Sequence, residues 1–107
     1  MMMNSVEKSV EIAQLYDYYK MLLTDKQKEY FELYFFEDLT YQEIGEAFGV
    51  SKTAIHDSIS KTITILRETE QKLNLKTKSD LLKTSLEQYK SQKISLNELL
   101  VVLEREI

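Results

Sequence analysis

The chain has 107 residues and a formal net charge of −4, and this length suits one small domain with a single core. It contains no cysteine, which excludes disulfides and zinc–thiolate sites, and a chain with no proline and only two glycines favours helix throughout. The acidic balance argues against a protein that holds nucleic acid chiefly through a strongly basic surface.

The first predicted helix covers residues 5–23, with Ser5 as its N-cap. Tyr18 lies on its polar side, where it is either a half-buried surface residue or a contact for a partner. The opposite side is an apolar face at helical spacing, formed by Ile12, Leu15, Tyr19, Leu22 and Leu23.

The second predicted helix opens at Thr24, which forms a capping box with Gln27. Its apolar side chains are Tyr30, Phe31, Leu33, Tyr34, Phe35 and Phe36. Because they cover more than one face, we expect this helix to be buried on several sides at the centre of the fold. A stacking platform for nucleic-acid bases is the alternative, although no lysine or arginine is interleaved in the run.

Residues 39–59 predict a helix-turn-helix. Thr40 and Glu43 form a capping box for its first helix, Gly49 suits a left-handed residue that ends it, and Ser51 caps the second helix. Gly45 allows another helix to approach closely, because it has no side chain. Five apolar side chains are expected to meet in a shared interior: Ile44, Phe48, Val50, Ile55 and Ile59.

The opposite face of the second helix is polar, as a surface that reads the major groove of DNA should be. Its outward side chains are Lys52, Thr53, His56, Asp57 and Ser60. The helix is predicted to run for about 22 residues from Lys52, because an apolar stripe continues at helical spacing. That stripe contains Ile55, Ile59, Thr62, Leu66 and Leu73, and it would cover the amino-terminal helices or a second subunit.

Residues 74–78 are the predicted hinge, which places a helical domain at residues 1–75, with the helix-turn-helix at 40–73, and a second part at residues 76–107. Thr77 with Asp80, and Ser95 with Glu98, are candidate capping boxes for two further helices, the first of which is expected to end near Lys93. Together they predict a helical hairpin. This hairpin either docks on the same core or is exchanged with a partner chain.

No pattern for catalysis or for a cofactor is present. His56 is the sole histidine, and we expect Asp57 to point elsewhere around the helix, so no oriented base for a nucleophile is predicted. Glu43 and Glu46 share a helix face that is best explained as solvated surface. Nothing resembles a secretory signal, and the aliphatic run at residues 99–103 is too short to span a bilayer. We therefore expect a cytoplasmic protein that is not an enzyme, binds no metal and does not insert into membranes.

The segment from Leu23 to Leu75 resembles the YlxM proteins, small bacterial relatives of sigma-70 region 4. The resemblance is carried by LTDKQKEYFELYF and above all by VSKTAIHDSISKT, from Val50 to Thr62. It implies an all-α helix-turn-helix bundle of the sigma-70 region 4 type with a C-terminal helical hairpin, together with a role in regulation through DNA or beside the signal recognition particle. Carried over by position, Ser51, Lys52, Thr53, His56 and Lys61 occupy the nucleic-acid face. Region 4 proper is richer in arginine here, and Asp57 adds a negative charge.

Two functions follow from these patterns. In the first, the chain is a nucleic-acid-binding regulator that acts as a homodimer: Lys52 and Lys61 contact phosphate, and Thr53, His56 and Ser60 reach base edges. In the second, the helix-turn-helix is a scaffold, and the chain is an adaptor whose aromatic helix or C-terminal hairpin binds a protein or an RNA of the signal recognition particle. The polar face favours the first function, and the negative charge favours the second.

Overall fold

The structure, a computed structural model, describes residues 9–107 and is all helical over that range, which confirms the predicted all-α class. A short 3-10 turn, Lys20–Leu22, lies between the first two α-helices. The α-helices are α1 (Val10–Tyr19), α2 (Asp25–Phe35), α3 (Tyr41–Phe48), α4 (Lys52–Leu73), α5 (Leu75–Lys90) and α6 (Leu96–Glu106). Two compact units are present, one ending at Lys72 and the other spanning Leu73–Ile107.

Three predicted capping boxes are confirmed and fix where α2, α3 and α6 begin. The side chains of Thr24, Thr40 and Ser95 each accept a hydrogen bond from the backbone N–H three residues later. The side-chain oxygen of the Gln or Glu at that later position accepts one from the backbone N–H of the capping residue. Each box therefore satisfies two backbone donors that a helix start would otherwise leave unpaired.

Helix α1 is shorter than its apolar pattern predicts. Ser9 caps it by accepting a hydrogen bond from the Ile12 N–H at 3.1 Å, whereas the predicted cap, Ser5, lies outside the described residues. After Tyr19 the chain tightens into the 3-10 turn, and the change of pitch leaves Leu22 57% exposed. The prediction that Leu22 belongs to the apolar face is therefore wrong.

The core of the first unit is built around the aromatic side of α2, as predicted. Phe31 is fully buried, and its ring stacks between those of Tyr16 and Phe35, with centroids 4.3 Å and 4.1 Å away. These rings are already stacked on one another, so this packing argues against a platform for nucleic-acid bases. Phe36, the last aromatic residue of the run, is 52% exposed at the end of the helix.

Helix α4 has 22 residues, as predicted, and packs a narrow stripe into the same core. The buried residues of that stripe are Ile55, Ile59, Thr62, Ile63 and Leu66. The stripe ends before Leu73, which is 49% exposed and so does not extend the buried stripe as the sequence pattern predicts.

Two hydrogen bonds join α1 to its neighbours through tyrosine hydroxyl groups. Tyr16 donates to the Glu32 carboxylate on α2, and Tyr19 donates to the Glu70 carboxylate on α4 at 2.5 Å. Both tyrosine side chains are 2% exposed. Because each hydroxyl is paired with a charged acceptor, burying these polar groups carries little penalty.

The second unit is a helical hairpin with little interior of its own. Ser85 and Leu99 are its buried residues. The predicted capping box at Thr77 is wrong, because α5 already begins at Leu75. Asn74 is the single residue between α4 and α5. It adopts the left-handed conformation, φ 56°, which asparagine tolerates better than most residues. Asp80 instead pairs with Lys76 at 2.6 Å.

The C-terminal end of α5 also differs from the prediction. The helix ends at Lys90 rather than near Lys93, and Gln92 follows in the left-handed region, φ 64°. A residue in that conformation cannot continue a right-handed helix.

Candidate nucleic-acid interface

The helix-turn-helix formed by α3 and α4 is fixed to the core by three aliphatic side chains. Ile44 on α3 and Ile55 on α4 are fully buried, and Ile59 is 1% exposed. These positions confirm that the second helix presents one face to the interior and leaves the other free. Burying each such side chain contributes about 1.5–3 kcal/mol, so the orientation of α4 is strongly held.

The turn between the two helices is closed by backbone atoms. Gly49 ends α3 in the left-handed conformation, φ 70°, and its N–H donates a hydrogen bond to the Gly45 carbonyl. The Val50 N–H is donated to the same carbonyl at 2.9 Å. A Cβ at Gly45 would lie 2.6 Å from the Val50 carbonyl oxygen and 3.3 Å from the Lys52 nitrogen, so what approaches Gly45 closely is the turn itself.

Two members of the predicted interior are less buried than expected. Val50 is 41% exposed: its backbone occupies the space beside Gly45, so its side chain is left facing outward. Phe48 is half-buried at the last position of α3. Its ring meets Tyr30 edge-on at 5.1 Å, and the Lys26 ammonium group lies 4.8 Å from the ring centre. The prediction of a common interior is therefore wrong for Val50 and only partly met for Phe48.

The predicted site residues lie along the outer face of α4 and its cap. Ser51 precedes the helix and accepts a hydrogen bond from the Ala54 N–H at 3.0 Å, as an N-cap does. Ser60 is half-buried, one turn beyond His56. The remaining residues of the predicted set are exposed side chains of the helix itself: Lys52, Thr53, His56 and Lys61.

His56 and Asp57 are in contact, contrary to the expectation that Asp57 points elsewhere. The His56 Nδ1 atom lies 3.2 Å from an Asp57 carboxylate oxygen. Neighbouring residues on a helix leave it about 100° apart, but both side chains are exposed and long enough to turn towards each other. The carboxylate therefore accepts from the imidazole whenever Nδ1 carries a proton.

A shallow cavity of about 230 Å³ brings part of the predicted set together. It is lined by Lys52, Thr53 and His56 of α4 and by Tyr41, the first residue of α3. The rings of Tyr41 and His56 meet edge to face at 5.2 Å. Ser51, Ser60 and Lys61 are not among the residues that line it.

Tyr41 is the residue that sequence reasoning missed. Its position next to the capping residue Thr40 signalled a helix start, and nothing in the sequence indicated that it would face the following helix. The ring stacks on that of Tyr34, with centroids 4.5 Å apart and planes 13° apart. Since Tyr34 is 3% exposed, the wall of the cavity rests on the core.

The chemistry offered by this surface is hydrogen bonding and one or two positive charges. Hydroxyl, imidazole and ammonium groups can contact phosphate oxygens and base edges. Within residues 9–107, no three or more histidine, aspartate or glutamate side chains are grouped as metal ligands. Over the same range, no helix combines the length and the apolar character needed to cross a membrane.

The buried packing, the glycine turn and the polar outer face define a helix-turn-helix protein. The chain belongs to family UPF0122, whose description is "Putative helix-turn-helix protein, YlxM / p13 like" and whose model matches residues 6–104. This match confirms the resemblance seen in the sequence.

Relatives in several bacteria are similar over much of their length. A UPF0122 protein of Mycoplasma mycoides is 57% identical over 79 residues, which are 74% of this chain and 70% of that protein. One of Halalkalibacterium halodurans is 36% identical over 102 residues, 92% of this chain and 94% of its own. One of Pediococcus pentosaceus is 46% identical over 70 residues, 65% of this chain and 62% of its own.

Proposed function

We propose that this protein is a regulator that binds duplex DNA and places the first turns of α4 in the major groove. The observation that carries the proposal is the division of that helix into two faces. Ile55 and Ile59 are buried, while Lys52, Thr53 and His56 are exposed and share a cavity with Tyr41. A rigidly held helix with a short, polar outer face is the geometry by which helix-turn-helix proteins read base edges.

Each residue of the surface has a proposed contact. Lys52 and Lys61 bind phosphate oxygens, and Thr53, His56 and Ser60 reach base edges. The Ser51 hydroxyl accepts from Ala54 and keeps its own proton, which it can donate to a phosphate.

Asp57 opposes these contacts, because its carboxylate is exposed on the same helix and repels phosphate. With two cations and a nearby anion, binding is expected to be modest and only moderately dependent on salt. We expect a slope of log K against log [salt] of about −2 per subunit, the value for two phosphate contacts.

Fluorescence anisotropy with labelled duplex DNA tests this function. Lys52→Glu should weaken binding strongly, because it replaces a phosphate contact with a repulsive charge. Lys72→Glu is the matched control: it makes the same change of charge at an exposed position in the last turn of α4, away from the proposed contacts, and it should leave the affinity nearly unchanged. Negligible and equal binding by wild type and both variants would end the proposal.

A second candidate function is an adaptor that binds a protein or RNA component of the signal recognition particle. It is favoured by the net charge of −4 and by apolar side chains exposed on the hairpin. These include Leu81, Leu86, Tyr89, Leu96 and Leu100. Affinity capture with the purified chain should then recover such a component, and Leu100→Glu should reduce its recovery. Capture of no such component would contradict the adaptor function.

We also propose that residues 1–75 carry the nucleic-acid surface and that residues 76–107 pair with a second copy. A helical hairpin of this size rarely has enough interior to be stable alone, and a homodimer would double the DNA contacts and fix the spacing of two half-sites. Light scattering should give twice the chain mass of 12.6 kDa for wild type and a monomer for Leu100→Glu. A monomeric wild type would exclude this pairing.

A binding role at DNA, without catalysis, places the protein in the bacterial cytoplasm, where the chromosome lies. We propose that location and that role together. Fractionation that recovers the protein outside the cytoplasm would count against both.

A further inference from the structure

The cavity on the outer face of the helix-turn-helix has a definite chemistry. It is lined by two residues with aromatic rings, Tyr41 and His56, together with Thr53 and Lys52. Ring carbons and a methyl group present an apolar surface, and the Lys52 ammonium group adds a positive charge. A ligand that suits this combination has a small apolar projection close to an anion.

The walls are also held in place before any ligand binds. The Tyr41 ring stacks on the buried Tyr34, and the His56 ring meets it at an interplanar angle of 88°. His56 is in turn in contact with the Asp57 carboxylate. Because the rings are braced in this way, little conformational entropy is lost when the cavity is filled.

Only one apolar projection is found in the major groove of unmodified DNA, the C5 methyl group of thymine. It lies on the exposed base edge and within reach of the phosphate backbone. We infer that the cavity formed by Tyr41, Thr53 and His56 receives thymine methyl groups, so that the protein prefers sites with thymine opposite the start of α4, while Lys52 contacts the adjoining phosphate. This inference rests on the proposed DNA-binding function and makes Tyr41 a specificity-determining residue.

Four duplexes of equal length separate the methyl group from other features of DNA. The first alternates adenine and thymine, and the second replaces thymine by uracil, which lacks only the methyl group. The third alternates guanine and cytosine, and the fourth carries 5-methylcytosine, which restores a methyl group at the corresponding place in the groove. Affinities of the full chain for all four are measured by fluorescence anisotropy at one low salt concentration.

The methylated member of each pair should bind about 4-fold more tightly, the ratio that corresponds to about 0.8 kcal/mol for one buried methyl group. Tyr41→Ala should bring both ratios close to 1. Thr53→Ser, which removes a single methyl group from the wall and disturbs the fold little, should lower them. Lys52→Gln should weaken all four complexes by a similar factor. Phe36→Ala, which removes an exposed aromatic ring at the end of α2, should leave all four affinities unchanged.

The outcomes distinguish the inference from the function on which it rests. Salt-dependent binding with equal affinity for methylated and unmethylated duplexes would overturn the methyl site and leave DNA binding in place. Methyl preferences that persist unchanged in both Tyr41→Ala and Thr53→Ser would also overturn it. Binding to none of the four duplexes would overturn both proposals.

Discussion

Gly45→Ala tests whether the helix-turn-helix depends on a close approach of backbone to backbone. The added Cβ would lie 2.6 Å from the Val50 carbonyl oxygen and 3.3 Å from both the Lys52 nitrogen and the Ser51 carbonyl carbon. All three are backbone atoms, so no side chain can rotate away. The Val50 carbonyl would have to move away from the new methyl group, which strains the turn.

The change in the free energy of unfolding is the balance between losses in the turn and a gain in helix propensity. Overpacking a well-packed site costs about 1–3 kcal/mol, and moving the turn stretches the hydrogen bond from Val50 to Gly45, which contributes about 1 kcal/mol. Alanine is in turn a better helix former than glycine by about 1 kcal/mol. The loss of the hydrogen bond and the gain in helix propensity nearly cancel, so we expect Gly45→Ala to lower the free energy of unfolding by about 1–3 kcal/mol, the cost of overpacking.

Urea unfolding followed by circular dichroism measures this loss, and a second variant calibrates it. Ala47→Gly changes an exposed residue of the same helix and should cost about 1 kcal/mol through helix propensity alone. Ala47→Gly should show its expected loss in the same experiment. If Gly45→Ala were then as stable as wild type, or more stable, the close approach at Gly45 would not contribute to stability and the prediction would be refuted.

Three further predictions concern the core, a cap and the dependence on pH. Phe31→Ala should cost about 3–5 kcal/mol in urea melts, against less than about 1 kcal/mol for Phe36→Ala at its exposed position; similar losses would contradict the core assignment. Thr40→Ala should cost about 1 kcal/mol and Thr40→Ser little, and equal stability of the two would argue against the capping box. Burial, and then the hydrogen bond to Glu32, raise the pKa of Tyr16 above its ordinary value. The folded state therefore keeps this proton longer than the unfolded chain, and the resulting stability is complete below about pH 10 and is lost as the pH rises further. Over that pH range the free energy of unfolding of Tyr16→Phe should fall less than that of wild type. Equal falls in the two proteins would show that Tyr16 does not contribute to the pH dependence.

The sequence predicted elements whose signals are local. Thr24 with Gln27, Thr40 with Glu43, and Ser95 with Glu98 satisfy backbone groups within one helical turn, so their spacing is sufficient to place three helix starts. The signal at Gly49 is also local, because a position with φ of 70° strongly favours glycine.

Other features escaped prediction because residue spacing does not show how side chains pack or which backbone conformation a single residue adopts. Whether Val50 is buried depends on which atoms of the turn fill the space beside Gly45, and hydrophobicity alone does not decide that. Thr77 satisfied the capping pattern as well as Ser95 does, but a single left-handed residue, Asn74, let the helix begin earlier. Tyr41 was overlooked because its role comes from rings on two other helices, those of Tyr34 and His56.

The most direct test of the account is a nuclear magnetic resonance titration of the labelled chain with the alternating adenine–thymine duplex. We predict that the largest amide shifts fall on residues 51–61, with Lys52, Thr53 and His56 foremost, and that they disappear as salt is added. Shifts confined to residues 76–107, or no shifts at all, would contradict the claim that the outer face of α4 reads DNA.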